Sequence, residues 1–225
     1  MRKGTGHMDG DPSDTSLVSV HLMEFDHLVL TCDDLDAGAA WLEARLGVPT
    51  APGSGLPSFR LRSRQVSLGA GAFLELFGPD RDAPPHPDRP RWLSPAGTPG
   101  APHLTAWVLR SAQLDTAIEF SRMRHLRVVR LTRGDGRRMR LAVPPGGALP
   151  LDGVYPAMVA WEAPHPTIDL PDPGCRLESL AVRHPQAERI FRSLSLSDMR
   201  VEVQEAPPGL EAVIATPSGA RVTLS

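Results

Sequence analysis

The chain has 225 residues, 41% of them hydrophobic, enough to bury an ordinary core as one large or two small domains. Its formal net charge is −2, which gives no electrostatic case for nucleic acid or an anionic membrane as partner. Lys3 is the only lysine, which argues against Schiff-base chemistry, and no apolar run approaches the ~18 residues of a membrane span.

Residues 1–22 are rich in Gly, Asp, Ser and Thr, lack periodicity and are expected to be flexible; Gly6-His7-Met8 fits either an engineered junction, with the native start at or after Met8, or native sequence. Residues 25–30 form a predicted strand carrying His27. A helix is expected over 34–46, because Leu35, Ala39, Leu42 and Leu46 share one face. Asp33 or Asp34 would cap it, and Gly47 would end it in a left-handed turn. Residues 49–56 read as a Pro/Gly loop, followed by strands near 59–62, at 66–68 and at 72–77, with Gly69-Ala70-Gly71 as a hairpin turn. The last strand buries Glu75 between Leu74 and Leu76, where an unpaired carboxylate would be costly.

Asp26-His27-Leu28-Val29-Leu30, the helix start Asp33-Asp34-Leu35-Asp36, Leu46-Gly47-Val48, and Gly71-Ala72-Phe73-Leu74-Glu75-Leu76 resemble the first module of glyoxalase-like proteins of the vicinal oxygen chelate superfamily. The resemblance implies an α+β fold: repeated βαβββ modules forming a cupped mixed β-sheet, with helices on its outer face. It also implies a divalent metal held in the cup between a first-strand His and a last-strand Glu, here His27 and Glu75. The superfamily includes isomerases, dioxygenases, resistance proteins and metal-free binders, so fold alone does not select a reaction. Where relatives often carry a His-Asn pair, this chain has Arg62-Ser63-Arg64-Gln65. Arg62 and Arg64 would offer carboxylate or phosphate binding near the cup, or else a solvated strand face.

Eight prolines between positions 79 and 102 mark a linker over 80–102, with His86 exposed and Trp92 buried. A second module, 103–163, repeats the first (23–79) at an offset of 79 residues, Val29-Leu30 matching Val108-Leu109 and Leu35-Asp36 matching Leu114-Asp115. It has a helix stripe of Leu114, Ala117, Ile118 and Ser121. Strands follow at 128–131, 139–143 and 157–161, the first two joined by a turn at 134–136. Ala106 replaces His27, and Ala160 or Glu162 would replace Glu75. These two modules make a domain over 23–170. A third, shorter βαββ(β) module over 171–225 fits an offset of 152, with a helix over 187–196, Ser179 against His27 and Thr223 against Glu75.

Two functions remain open. One is a metal-dependent enzyme of isomerase, lyase or dioxygenase type acting on a small oxygenated molecule. Its metal would sit on His27, Glu75 and a third ligand, Glu162 or His103 or one from a partner chain, and Glu75 or its partner would take a proton. His165 of the Pro-His-Pro run is explained as well by turn formation as by chemistry. The other is a metal-free binding or sequestration protein whose cup is lined by Phe73, Trp107 and Trp161. His27 and Glu75 are expected to point into one cup within direct or bridged reach. The unpaired third module predicts either a homodimer or a third module packed back on the second. Cys32 and Cys175 are expected to be free thiols in a reducing cytoplasm.

Overall fold

A computed structural model of the chain describes residues 23–83, 101–121, 123 and 125–225; residues 1–22, most of the proline-rich stretch, His86 and Trp92 lie outside it. The first unit comprises β1 (Glu24–Thr31), α1 (Leu35–Leu46), β2 (Ala51–Leu56), β3 (Leu61–Ser67) and β4 (Phe73–Pro79). The second comprises β5 (His103–Arg110), α2 (Leu114–Ser121), β6 (Arg127–Thr132), β7 (Arg138–Val143) and β8 (Ala157–Trp161). The third comprises β9 (Arg176–Arg183), α3 (Ala187–Ser193), β10 (Val201–Gln204), β11 (Gly209–Ala215) and β12 (Arg221–Leu224).

The first ten elements build one mixed sheet of eight strands in the order β2-β3-β4-β1-β5-β8-β7-β6. β1 pairs in parallel with β4 and antiparallel with β5, so the two βαβββ units meet back to back at the centre. Both faces of β1 are covered, which is why Leu28, Val29 and Leu30 are all fully buried. Leu28, Leu30, Leu74, Leu76, Trp107 and Leu109 face the helices in one large core. Val29, Phe77, Ala106, Val108, Leu141 and Val159 fill a second core on the concave face.

Helix α1 begins where Asp34 accepts a hydrogen bond from Ala37 N at 2.9 Å, which selects Asp34 over Asp33 as the cap. It ends at Gly47 in the left-handed conformation, φ 68°. Two strand expectations need correction. Residues 51–56 are not a loop but the edge strand β2, where Pro52 costs little because an edge strand leaves alternate N–H groups unpaired. The separate strands near 59–62 and at 66–68 are the single strand β3, preceded by a 3-10 turn at Pro57–Phe59 with Arg60 at φ 57°.

The sheet curls until its two edges touch. Gly134, in the turn after β6, donates to Ser54 O of β2 at 2.9 Å. A Cβ at Gly134 would stand 2.4 Å from that oxygen, so only glycine permits the approach.

The third unit forms its own four-stranded sheet, order β10-β9-β11-β12, and its apolar residues Leu177, Leu180, Ile190 and Ile214 join the helix-side core. It is packed back on both other units: Tyr155 OH lies 3.1 Å from Ser193 Oγ, Leu104 N donates to Ser225 O, and Met23 N donates to Ser195 O. The bridge between Met23 and Leu196 requires extended backbone, and α3 accordingly stops at Ser193 rather than running to 196. The wiring also differs from the first unit. β12 pairs with β11 and not with β9, so Thr223 lies opposite Val213 and never stands beside β9 as Glu75 stands beside β1.

Candidate functional site

Consecutive residues on a regular strand point to opposite faces. Between Phe25 and His27 the register of β1 against β5 shifts, and this irregularity turns Asp26 toward its neighbour. Asp26 Oδ1 accepts from His27 Nδ1 at 2.5 Å, and Oδ2 accepts from Trp161 Nε1 at 2.9 Å and from His165 Nε2 at 3.0 Å. Arg110 NH1 stands 3.7 Å away. Asp26 has no exposed surface. Burial pushes its carboxyl toward the neutral form, but the hydrogen bonds donated by His165 and His27 outweigh that and hold it well below the usual carboxylate range.

The same network fixes both imidazoles. Thr167 N and Oγ1 donate to His165 Nδ1, at 3.3 and 2.7 Å, which leaves the His165 proton on Nε2, facing Asp26. His27 spends its Nδ1 proton on Asp26, stacks on Phe73 with ring centroids 4.4 Å apart, and has no partner for Nε2 among the described residues. Phe73 and Trp161 both meet the His165 ring edge-on, at 5.6 and 5.5 Å. The arrangement is a carboxylate-anchored imidazole with its outer nitrogen lone pair open, enclosed by aromatic rings. It can accept a proton or donate one when charged.

Glu75 has a different environment. Its side chain is fully buried on the concave face and accepts from Ser63 Oγ at 2.7 Å and Gln65 Nε2 at 3.1 Å. Arg133, itself 3% exposed, closes on both carboxylate oxygens, NH1 donating to Oε2 at 3.2 Å and NH2 to Oε1. Arg133 Nε donates to Ser54 Oγ at 2.7 Å, and the guanidinium carbon lies 5.8 Å from the centre of the Trp161 ring.

These positions correct several expectations. His27 and Glu75 do share the concave face, but the pairing sets His27 beside Phe73 and Glu75 beside Val29, one step further along. Each has its own partners, and no contact joins them directly. Glu162 lies just past the end of β8, with Oε1 3.8 Å from Arg130 and Arg140. His103 is exposed at the far end of β5, 3.4 Å from Thr31 Oγ1. Among the described residues no three His, Cys, Asp or Glu side chains are grouped as a metal site. The donors therefore do not fit the expected metal: His27 is oriented like a metal ligand, but the carboxylate that would complete the set already carries a cation.

Glu75 also cannot serve as the expected catalytic base while both its oxygens accept from Arg133. Since Val29 pairs with Glu75 and Val108 with Ala157, the residue of the second unit equivalent to Glu75 is Ala157, neither Ala160 nor Glu162.

Of the expected binding residues, Phe73 and Trp161 do line the histidine cluster. Trp107 faces the helix side, donating to Val154 O at 2.8 Å. Arg62 is exposed, and Arg64 turns outward to Thr50 and Glu43, because β3 presents Leu61, Ser63 and Gln65 to the concave face. Sequence reasoning gave Asp26 and Arg133 no role. The Asp-His pair set between Phe25 and the apolar run Leu28-Val29-Leu30 was a usable signal for the first; a turn arginine offered none.

A family model of the glyoxalase-like domain matches residues 25–196. Among solved structures, a hypothetical protein from Staphylococcus aureus aligns with a TM-score of 0.53 at 9% identity, covering 89% of this chain and 84% of that one. Methylmalonyl-CoA epimerase from Mycobacterium tuberculosis aligns at 0.42 and 18% identity, over 66% and 95%. A Streptomyces coelicolor methylmalonyl-CoA epimerase (E43L) in complex with 2-nitronate-propionyl-CoA aligns at 0.40 and 20%, over 61% and 92%. At such identities the likeness is one of fold alone. No curated protein matches the sequence.

Proposed function

The chain belongs to the glyoxalase-like domain family, and on that premise we propose that it binds a small oxygenated molecule at the histidine end of its curled sheet and moves a proton on it with His27. The observation that carries this reading is the fully buried Asp26, which anchors His27 and His165 together and leaves His27 Nε2 without a partner among the described residues. Neutral His27 would take a proton from a C–H or O–H acidified by a neighbouring oxygen, while the Asp26 carboxylate stabilises the imidazolium that forms. His165 and Trp161 are positioning residues that hold the second carboxylate oxygen. Phe73 orients the His27 ring by stacking.

The aromatic surroundings also support a second reading, binding or sequestration without turnover, and one experiment separates the two. The protein is mixed in D2O with a panel of small carbonyl and hydroxy-carbonyl compounds. Binding is read by saturation transfer and proton exchange by loss of the substrate C–H signal. Wild type is expected to catalyse exchange, and His27→Gln to lose about 10²–10⁴-fold in exchange rate while retaining binding. Exchange that survives in His27→Gln overturns the proposal; binding with no exchange in wild type selects sequestration.

A further inference from the structure

We propose that Arg133 is the resident cation of the concave face: its guanidinium holds the place on Glu75 where the fold's resemblance puts a divalent ion, and the curled sheet closes on this ion pair. This ion pair stands apart from the proton transfer proposed for His27. Glu75 is completely buried, and a lone carboxylate there would be untenable without a cation or several donors. Arg133 supplies a permanent positive charge in bidentate geometry, one nitrogen to each oxygen. Ser63 and Gln65 both donate to Oε1, so that oxygen is filled by three donors, while Arg133 NH1 occupies Oε2, and the charge a metal would neutralise is already neutralised.

Arg133 reaches this position only because its segment crosses from one edge of the sheet to the other. Its backbone N–H donates to Arg137 O within the β6–β7 turn, the next residue, Gly134, donates to Ser54 O, and its own Nε donates to Ser54 Oγ. A single side chain thus neutralises the buried carboxylate and fastens β6 to β2. A metal would do the first and not the second.

The test has two arms. Purified wild type is titrated with Mn²⁺, Ni²⁺ and Zn²⁺ while its thermal midpoint and bound metal are measured. The expected result is no stoichiometric uptake attributable to Glu75. Uptake that raises the midpoint and vanishes in Glu75→Gln overturns the proposal.

In the second arm, Arg133→Met, Glu75→Gln and the double variant are compared. Each single change strands one buried charge and should lower the midpoint sharply or prevent folding. The double variant, neutral and still offering Ser63 and Gln65 an acceptor, should recover most of the loss. Single variants that melt like wild type, or a double variant no better than the worse single, contradict the ion pair's role. If Glu75→Gln does not fold, the neutral double variant replaces it as the control of the metal arm, and wild-type uptake that vanishes there overturns the proposal in the same way.

Discussion

A carboxylate with no exposed surface must find in the protein what it gave up in water. Asp26 does so with three N–H donors, two of them on histidines. Its ionised form is favoured in the folded state, so its folded pKa lies below its unfolded value of about 3.9. The stabilisation it gives is therefore complete above that unfolded value and is lost as pH falls toward the folded one. Asp26→Asn should cost about 1.5–3 kcal/mol near neutrality, the range for hydrogen bonds to charged groups. It should also flatten the acid limb below about pH 4, measured as urea midpoints across pH. An acid limb as steep in the variant as in wild type would show that other carboxylates set it. At this scale the sequence was half legible. His27 and Glu75 stood out as polar residues in apolar strands, but which polar group each one meets depends on a register that no spacing reveals. A two-residue step along a strand is about 6.6 Å, enough to separate them and let Phe73 stand against His27.

Elements followed the chemistry of their patterns. α1 was legible because an apolar stripe, an aspartate cap and a left-handed glycine all agree. β8 was legible as a short apolar run. β2 was not, because its Pro52, Gly53 and Gly55 read as a loop and only its place at a sheet edge makes them tolerable. Glycine at 134 serves a contact rather than a turn angle. Gly134→Ala forces a Cβ against Ser54 O and should cost about 1–3 kcal/mol, the usual range for overpacking. Equilibrium denaturation of Gly134→Ala beside Gly136→Ala checks this. Position 136 has open space around a new Cβ but φ 84°, so the comparison separates contact from backbone strain.

Across the whole molecule, one apolar core runs from Leu28 and Trp107 through all three helices to Leu180 and Ile214 of the third unit. Residues from all three units therefore lose their burial together. Calorimetry should show one unfolding transition whose van't Hoff and calorimetric enthalpies agree, without a separate melt for residues 171–225. Two resolved transitions would mean that the third unit is an independent domain. The internal repeat revealed β9 and α3 but not the strand pairing after them. A repeat in sequence records which residues are apolar, and β11 inserting between β9 and β12 leaves that record unchanged.

The contact between Ser54 and Gly134 joins parts of the chain that cannot meet until both halves of the sheet exist and have curled. Its loop-closure entropy must be overcome before it returns any stabilisation, which places it late in the order of folding events. Interactions absent from the transition state act on escape from the native state rather than on entry into it. Gly134→Ala should accordingly speed unfolding by nearly the whole of its equilibrium effect and leave the refolding rate almost untouched. In a chevron plot only the unfolding arm would rise, and the seam would act as a latch on the lifetime of the fold rather than a guide to it.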